Sequence, residues 1–242
     1  NIKYILANVT GPTSRYFSKN HRSFLWIDDV ILIIDDVCSH EDGTFSLLFH
    51  PDGVSRKNGI DLSVVNQQAA VDIRPLWPDY LTESDFEHDF PYNLKLKAHQ
   101  GPKAKKTDEM ETYYSVTYPI KAQSVKFITA IILKDSPASK NIPQVTRLKG
   151  DDLQGVRIAK GDKITDVYLN TRADGHIMHR NSCTNVNGWD TDAYLLAFSY
   201  KKGTDPAVSK NISEWFIGYG SYVRNANESI FDSYTKKYKV IR

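Results

Sequence analysis

Residues 15–53 read RYFSKNHRSFLWIDDVILIIDDVCSHEDGTFSLLFHPDG. Phe24–Ile27 and Val30–Val37 are dense in β-branched and aromatic residues, which fit a pleated and buried surface. Asp28-Asp29 is the tight polar break between them. Two apolar runs around a two-residue polar break read as a hairpin with largely buried arms. A polar turn containing Asp42-Gly43 then leads into Phe45–Phe49 as the next strand. Three consecutive strands make this stretch the nucleus of a sheet.

The same rhythm continues along the chain. Ile60–Val65 and Ala69–Ile73 read as short strands, and Pro75 is expected to stop the second because it cannot donate to a ladder. Residues 77–92 mix prolines, acids and aromatics as a surface loop. Tyr113–Tyr118 and Val125–Leu133 read as two strands joined through Pro119–Ser124. Later strands are expected at Val145–Leu148, Val156–Lys160, Thr165–Asn170, Ala193–Tyr200, Trp215–Tyr219, Ser229–Phe231 and Lys236–Ile241. No segment of about 11 residues carries the i, i+3, i+4, i+7 apolar stripe of a helix. The pattern predicts an all-β chain of stacked antiparallel sheets, a β-sandwich or supersandwich, with room for a second and smaller β unit. Residues 134–143 (KDSPASKNIP) interrupt the apolar pattern with two prolines and read as a linker. The expected division is 1–133, then the linker, then 144–242 packed on the first part, or one continuous domain.

Forty per cent apolar and 25% charged residues describe an ordinary globular composition. No window approaches the roughly 18 consecutive apolar residues of a membrane span. A formal charge of +2 supplies no global field that would call for nucleic acid or an acidic membrane. The one basic run, Lys95–Lys106, reads as a solvated loop. Cys38 and Cys183 match no zinc or redox spacing and read as two structural thiols in preference to a bridge. The opening NIKYILANVT lacks the series of features of a secretory signal. The expectation is a removed targeting segment or a piece of a longer protein.

The basic strand start at Arg15, His21 and Arg22, the apolar strand near Trp26, the ILIIDDV strand and the strand ending at His50 together resemble the C-terminal β-sheet region of heparinase II/III-like polysaccharide lyases. The resemblance extends through Asp61–Gln68, Leu169–Ser182, Gly188–Phe198 and Glu214–Arg224. It implies β-elimination on a uronic-acid-containing polysaccharide and a periplasmic or secreted protein. It also implies that the tyrosine base, and the asparagine or histidine that neutralises the carboxylate, come largely from an N-terminal α-helical toroid. In that family a His-x-His linked to a metal and a later His-Asn sit at the start of the β region. This sequence has no His-x-His and no His-Asn. The implied role is therefore the downstream β portion, inactive alone, with no cofactor of its own and any divalent metal belonging to the full-length protein. The alternative is a non-catalytic carbohydrate-binding or adhesion module.

Few residues invite a chemical role. His50, before Pro51-Asp52-Gly53, would place an imidazole at a sheet rim and is the catalytic candidate, with no base or nucleophile partner in view. His176 and His179 are candidate ligand contacts, but their spacing puts them on opposite faces of a strand and supplies no third zinc ligand. His21 and Arg22 read as a solvated strand edge. Asp28-Asp29, Asp35-Asp36 and Asp151-Asp152 read as turn or strand-end carboxylates. Among the four tryptophans, Trp26 and Trp215 lie in apolar strands and are expected to be buried. Trp77 and Trp189 are expected in loops, where an indole face could stack on a sugar.

Overall fold

The protein, seen in a computed structural model, is described over residues 2–59, 61–67, 69–78, 94–103, 106–150, 153–175 and 182–233. It is built almost entirely of antiparallel strands in three sheets, as the alternation of apolar and polar residues requires. The eight-stranded sheet holds β1 (Ile2–Asn8), β2 (Phe17–Ile27), β3 (Val30–Phe49), β4 (Val54–Asn58), β5 (Asp61–Asn66), β6 (Ala69–Trp77), β7 (Lys95–Lys103) and β8 (Lys106–Lys134). Its order is β1-β2-β3-β8-β6-β5-β4, with β7 paired to β8. One turn of helix, α1 (Thr10–Thr13), precedes β2. The five-stranded sheet runs β15-β14-β11-β10-β9, from β9 (Gln144–Gly150), β10 (Leu153–Lys160), β11 (Lys163–Asn170), β14 (Leu195–Lys201) and β15 (Ile212–Gly218). The four-stranded sheet runs β12-β13-β16-β17, from β12 (Thr184–Val186), β13 (Trp189–Thr191), β16 (Tyr222–Arg224) and β17 (Ser229–Asp232).

The chain forms two compact units, Lys3–Ile142 and Pro143–Arg242, the latter together with its N-terminal residues Asn1–Ile2. In the first, the β2–β3 hairpin turns at Asp28-Asp29, with Ile27 opposite Val30. Asp28 takes the left-handed backbone, φ 49°, that a tight primed turn demands. β3 and β8 are longer than the sequence pattern indicates. Phe45–Phe49 is not a separate strand but the far half of β3, beyond register shifts at Cys38/Gly43 and Gly43/Phe45. Tyr113–Tyr118 and Val125–Leu133 are likewise two halves of β8. Polar residues at the shifts interrupt the apolar rhythm without ending the backbone ladder. Phe45 and Leu47 of β3 pack in one core with Val37, and Tyr114 and Val116 of β8 with Val125 and Phe127. Both long strands thus supply both of their halves to a single sandwich interior, which Leu62, Ile73 and Leu96 complete. Each fully buried side chain of this size contributes about 1.5–3 kcal/mol.

Other expectations are corrected. Pro75 does not end its strand: β6 runs to Trp77 through a register shift opposite Thr129. Lys95–Lys103 is a strand instead of a solvated loop. The readings at residues 79–92, 151–152 and 236–241 fall on positions outside the described residues.

In the second unit, Tyr168, Leu196, Phe198 and Tyr200 of the five-stranded sheet meet Val186, Trp189 and Val223 of the four-stranded sheet in one core. β9 and β10 approach closely at Gly155, opposite Leu148. A Cβ there would lie 2.7 Å from Leu148 Cβ and 2.8 Å from its carbonyl oxygen, so only glycine fits. No helix among the described residues is long and apolar enough to cross a membrane.

Candidate functional site

The hairpin register places Arg22 opposite Asp35 and His21 opposite Asp36. Alternation sends the two pairs to opposite faces of the sheet. Asp36 is buried and accepts from Lys19 Nζ at 2.6 Å and Lys126 Nζ at 2.9 Å. Asp35, 3% exposed, accepts from Arg22 Nε through Oδ1 at 2.6 Å. Asp35 and Asp36 are therefore mid-strand ion-pair partners, not turn or strand-end carboxylates. His21 is buried and Arg22 half-buried, so neither belongs to a solvated edge.

On the Arg22–Asp35 side lies a cavity of about 550 Å³. Its lining includes buried Val37, Phe45, Leu47 and Phe127, and exposed Arg15, Tyr16, His40 and Glu41. The shifted segment of β3 around Gly43 brings the two halves of that strand to the same cavity. Arg15 reaches over the Tyr16 ring at 5.5 Å, and His40 Nε2 lies 2.9 Å from the Ser14 carbonyl oxygen. Asp35 Oδ2 is buried and has no hydrogen-bond partner among the described residues. Burial raises the Asp35 carboxyl above its ordinary range, while the bond to Arg22 and its charge pull the other way.

The predicted site residues lie elsewhere. His50 is exposed just beyond β3, with Nδ1 3.2 Å from Glu111 Oε1. Its ring stacks on Tyr113 at 5.1 Å, and His99 stacks on the same tyrosine at 5.0 Å from β7. His99 Nε2 is 2.8 Å from Ser115 Oγ. His50 thus contacts Glu111 and Tyr113 just beyond β3. Trp77 and Trp189 lie in strands instead of loops and are 5% and 0% exposed. Trp189 Nε1 donates to the Pro206 carbonyl at 2.8 Å, so its polar edge is satisfied inside the core. Trp26 and Trp215, expected to be buried, are 44% and 43% exposed. The pairing faces of β2 and β15, not local hydropathy, decide which indole faces outward. His176 and His179 fall outside the described residues. Cys38 is half-buried, Cys183 is exposed, and both are free thiols.

The second unit contains a buried polar network. Asp166 receives Arg157 Nε at 2.7 Å, Arg157 Nη2 at 2.8 Å and the Tyr200 hydroxyl at 2.7 Å. The Asn187 amide donates to the Tyr168 hydroxyl at 2.7 Å. Burial, then the Asp166 bond, pushes the Tyr200 phenol up to about 12, and burial raises Tyr168 as well. Burial followed by the Cys183 contact raises Tyr222. None of these three phenols is suited to take a proton near neutral pH. No group of three or more potential metal ligands occurs among the described residues.

No protein-family model and no curated protein matches the sequence. Solved structures do. A heparinase III crystal structure superposes with a TM-score of 0.50 and 9% identity, over 70% of this chain and 26% of that one. The fold resembles part of heparinase III. A heparan sulfate lyase HepC mutant from Pedobacter heparinus gives a TM-score of 0.49 and 11% identity over 71% of this chain and 26% of that one. A heparinase III with methylated lysines gives 0.48 and 13%, over 83% and 26%. The chain therefore spans about a quarter of the length of each heparinase structure it matches.

The site signal missed in the sequence was cross-strand. Arg22 and Asp35 are unremarkable as single residues, but the two-residue turn at Asp28-Asp29 makes them face each other. Arg15, Phe45 and Phe127 join them only through the bend of β3 and the β3–β8 pairing.

Proposed function

We propose that these 242 residues form the β-sandwich portion of a heparinase II/III-like lyase acting on uronic-acid-containing polysaccharide by β-elimination. The main catalytic residues lie outside the chain, in an N-terminal α-helical toroid of the same polypeptide. The observation that supports this reading is the fold, alike over 70% of the chain to a stretch making up 26% of heparinase III. β-Elimination needs a base for the C5 proton and a cation or hydrogen-bond donor on the carboxylate. In this reading the sheets support and partly line a cleft for an acidic polysaccharide in a periplasmic or secreted protein. A divalent metal, where one is used, belongs to the complete enzyme.

The test is a lyase assay on heparin-like and alginate-like polymers, followed by the ultraviolet absorbance of the unsaturated product. The chain alone is expected to show no turnover, and a rising absorbance would overturn the assignment. A second reading, a non-catalytic carbohydrate-binding module, is supported by the cavity built entirely within Lys3–Ile142. The sequence encoded upstream of Asn1 separates the two. A long helical region followed by His-x-His and His-Asn favours the lyase, and a signal peptide abutting Asn1 favours the module.

A further inference from the structure

We propose that the cavity beside Arg22 binds inorganic phosphate, held by two arginines and selected by one carboxylate on its wall. The proposal goes beyond the lyase reading, because the ligand contains no sugar and every residue of the site lies within Lys3–Ile142.

Three charged groups that line the cavity of about 550 Å³ have hydrogen-bonding capacity that the fold does not use. Arg22 gives Nε to Asp35 at 2.6 Å, while its two outer nitrogens, at the end of a side chain that is 42% exposed, bond to no described residue. Buried Asp35 thereby fixes the plane of the guanidinium and leaves its outer edge as a fork of donors. Arg15 is exposed, reaches over the Tyr16 ring at 5.5 Å and makes no ion pair with a described residue. Glu41 is exposed as well. Ser39 Oγ donates to its backbone carbonyl, and its carboxylate bonds to no described residue.

Two guanidiniums on one cavity call for an oxyanion, which accepts through paired N–H groups. A carboxylate has two oxygens and is filled by one fork, whereas a tetrahedral oxyanion has oxygens for both arginines. Glu41 then chooses among tetrahedral ions. Sulfate carries no proton, and a phosphate monoester has lost both of its protons above about pH 6. Each turns only lone pairs toward the carboxylate. Inorganic phosphate keeps a proton at neutral pH, so its P–OH can donate to Glu41 while its other oxygens accept from Arg15 and Arg22. Cations are disfavoured by the same two arginines. The rim is open to solvent, and water can bridge the contacts that the ion does not make directly.

The experiment is a nuclear magnetic resonance titration of the 242-residue chain at constant ionic strength and about pH 7.5, where methyl phosphate is a dianion. Sodium phosphate, sodium sulfate and methyl phosphate are compared at the backbone amides of Gly43 and Thr44 and the side-chain Nε–H of Arg22. Saturable shifts are expected with phosphate, at an affinity about fivefold above that of sulfate or methyl phosphate. Arg15→Ala and Arg22→Lys are each expected to weaken phosphate binding at least about threefold. Glu41→Gln is expected to erase the preference for phosphate over sulfate. Arg15 and Glu41 are exposed, so their variants remain informative if Arg22→Lys does not fold. Absence of saturable shifts, sulfate or methyl phosphate binding as tightly as phosphate, undiminished binding by the arginine variants, or a preference that survives Glu41→Gln would each overturn the proposal. Lyase turnover by the chain would leave these outcomes unchanged, so the two assignments fail separately.

Discussion

At the scale of single residues, the molecule is shaped by where it places charge inside apolar strands. Asp35 and Asp36 are neighbours in sequence, yet the pleat gives one a single arginine and the other two lysines. Two lysines compensate Asp36 fully, whereas Asp35 keeps one oxygen unpartnered. This has a thermodynamic signature. Burial holds the Asp35 carboxyl above its ordinary value of 3.8 in the folded protein. The folded state then binds a proton more readily than the unfolded chain. The stability contributed by Asp35 is complete below about pH 3.8 and is lost as pH rises through the higher folded value. Urea unfolding at increasing pH across that window is expected to show this decline in the parent protein and not in Asp35→Asn. Identical pH slopes in the two proteins would show that Asp35 titrates alike in both states. Glu228 has the opposite sign: bonds from Ser209 lower it below 4.5, so its contribution is lost as pH falls through the folded value.

At the scale of elements, the long strands and close strand contacts decide the architecture. β3 and β8 each run through a polar segment that local pattern reading takes for a turn. The reading was sound for the Asp28-Asp29 hairpin, where the polar pair is the turn. It failed at Ser39–Thr44 and at Pro119–Ser124, because a register shift leaves side chains exposed while backbone pairing resumes beyond it. Gly155 is an element-scale constraint of another kind. Gly155→Ala forces a methyl group onto Leu148 and its carbonyl and is expected to cost about 1–3 kcal/mol in urea unfolding. A cost near zero would mean that β9 and β10 can separate without loss.

At the scale of the whole molecule, the core around Phe127 in the first unit and the core around Trp189 in the second imply separate addresses for destabilisation. Phe127→Ala and Trp189→Ala each leave a cavity expected to cost about 3–5 kcal/mol. Hydrogen exchange is expected to speed up mainly in β3 and β8 for the first and in β11 and β14 for the second. Equal loss of protection throughout would mean that the units unfold as one. The sequence by itself determined the all-β class, because alternation and strand-forming residues are local properties. It also determined the leading hairpin, since the two-residue turn sets the register from Ile27 and Val30 back to Lys19 and Cys38 and so faces Arg22 with Asp35. The tertiary structure alone decided which tryptophans face outward: Trp26 and Trp215 do, Trp77 and Trp189 do not. It alone gathered Arg15, Phe45 and Phe127 around the Arg22–Asp35 pair. Burial and cavity shape depend on which sheet face meets another layer, and that is a property of contacts distant in sequence.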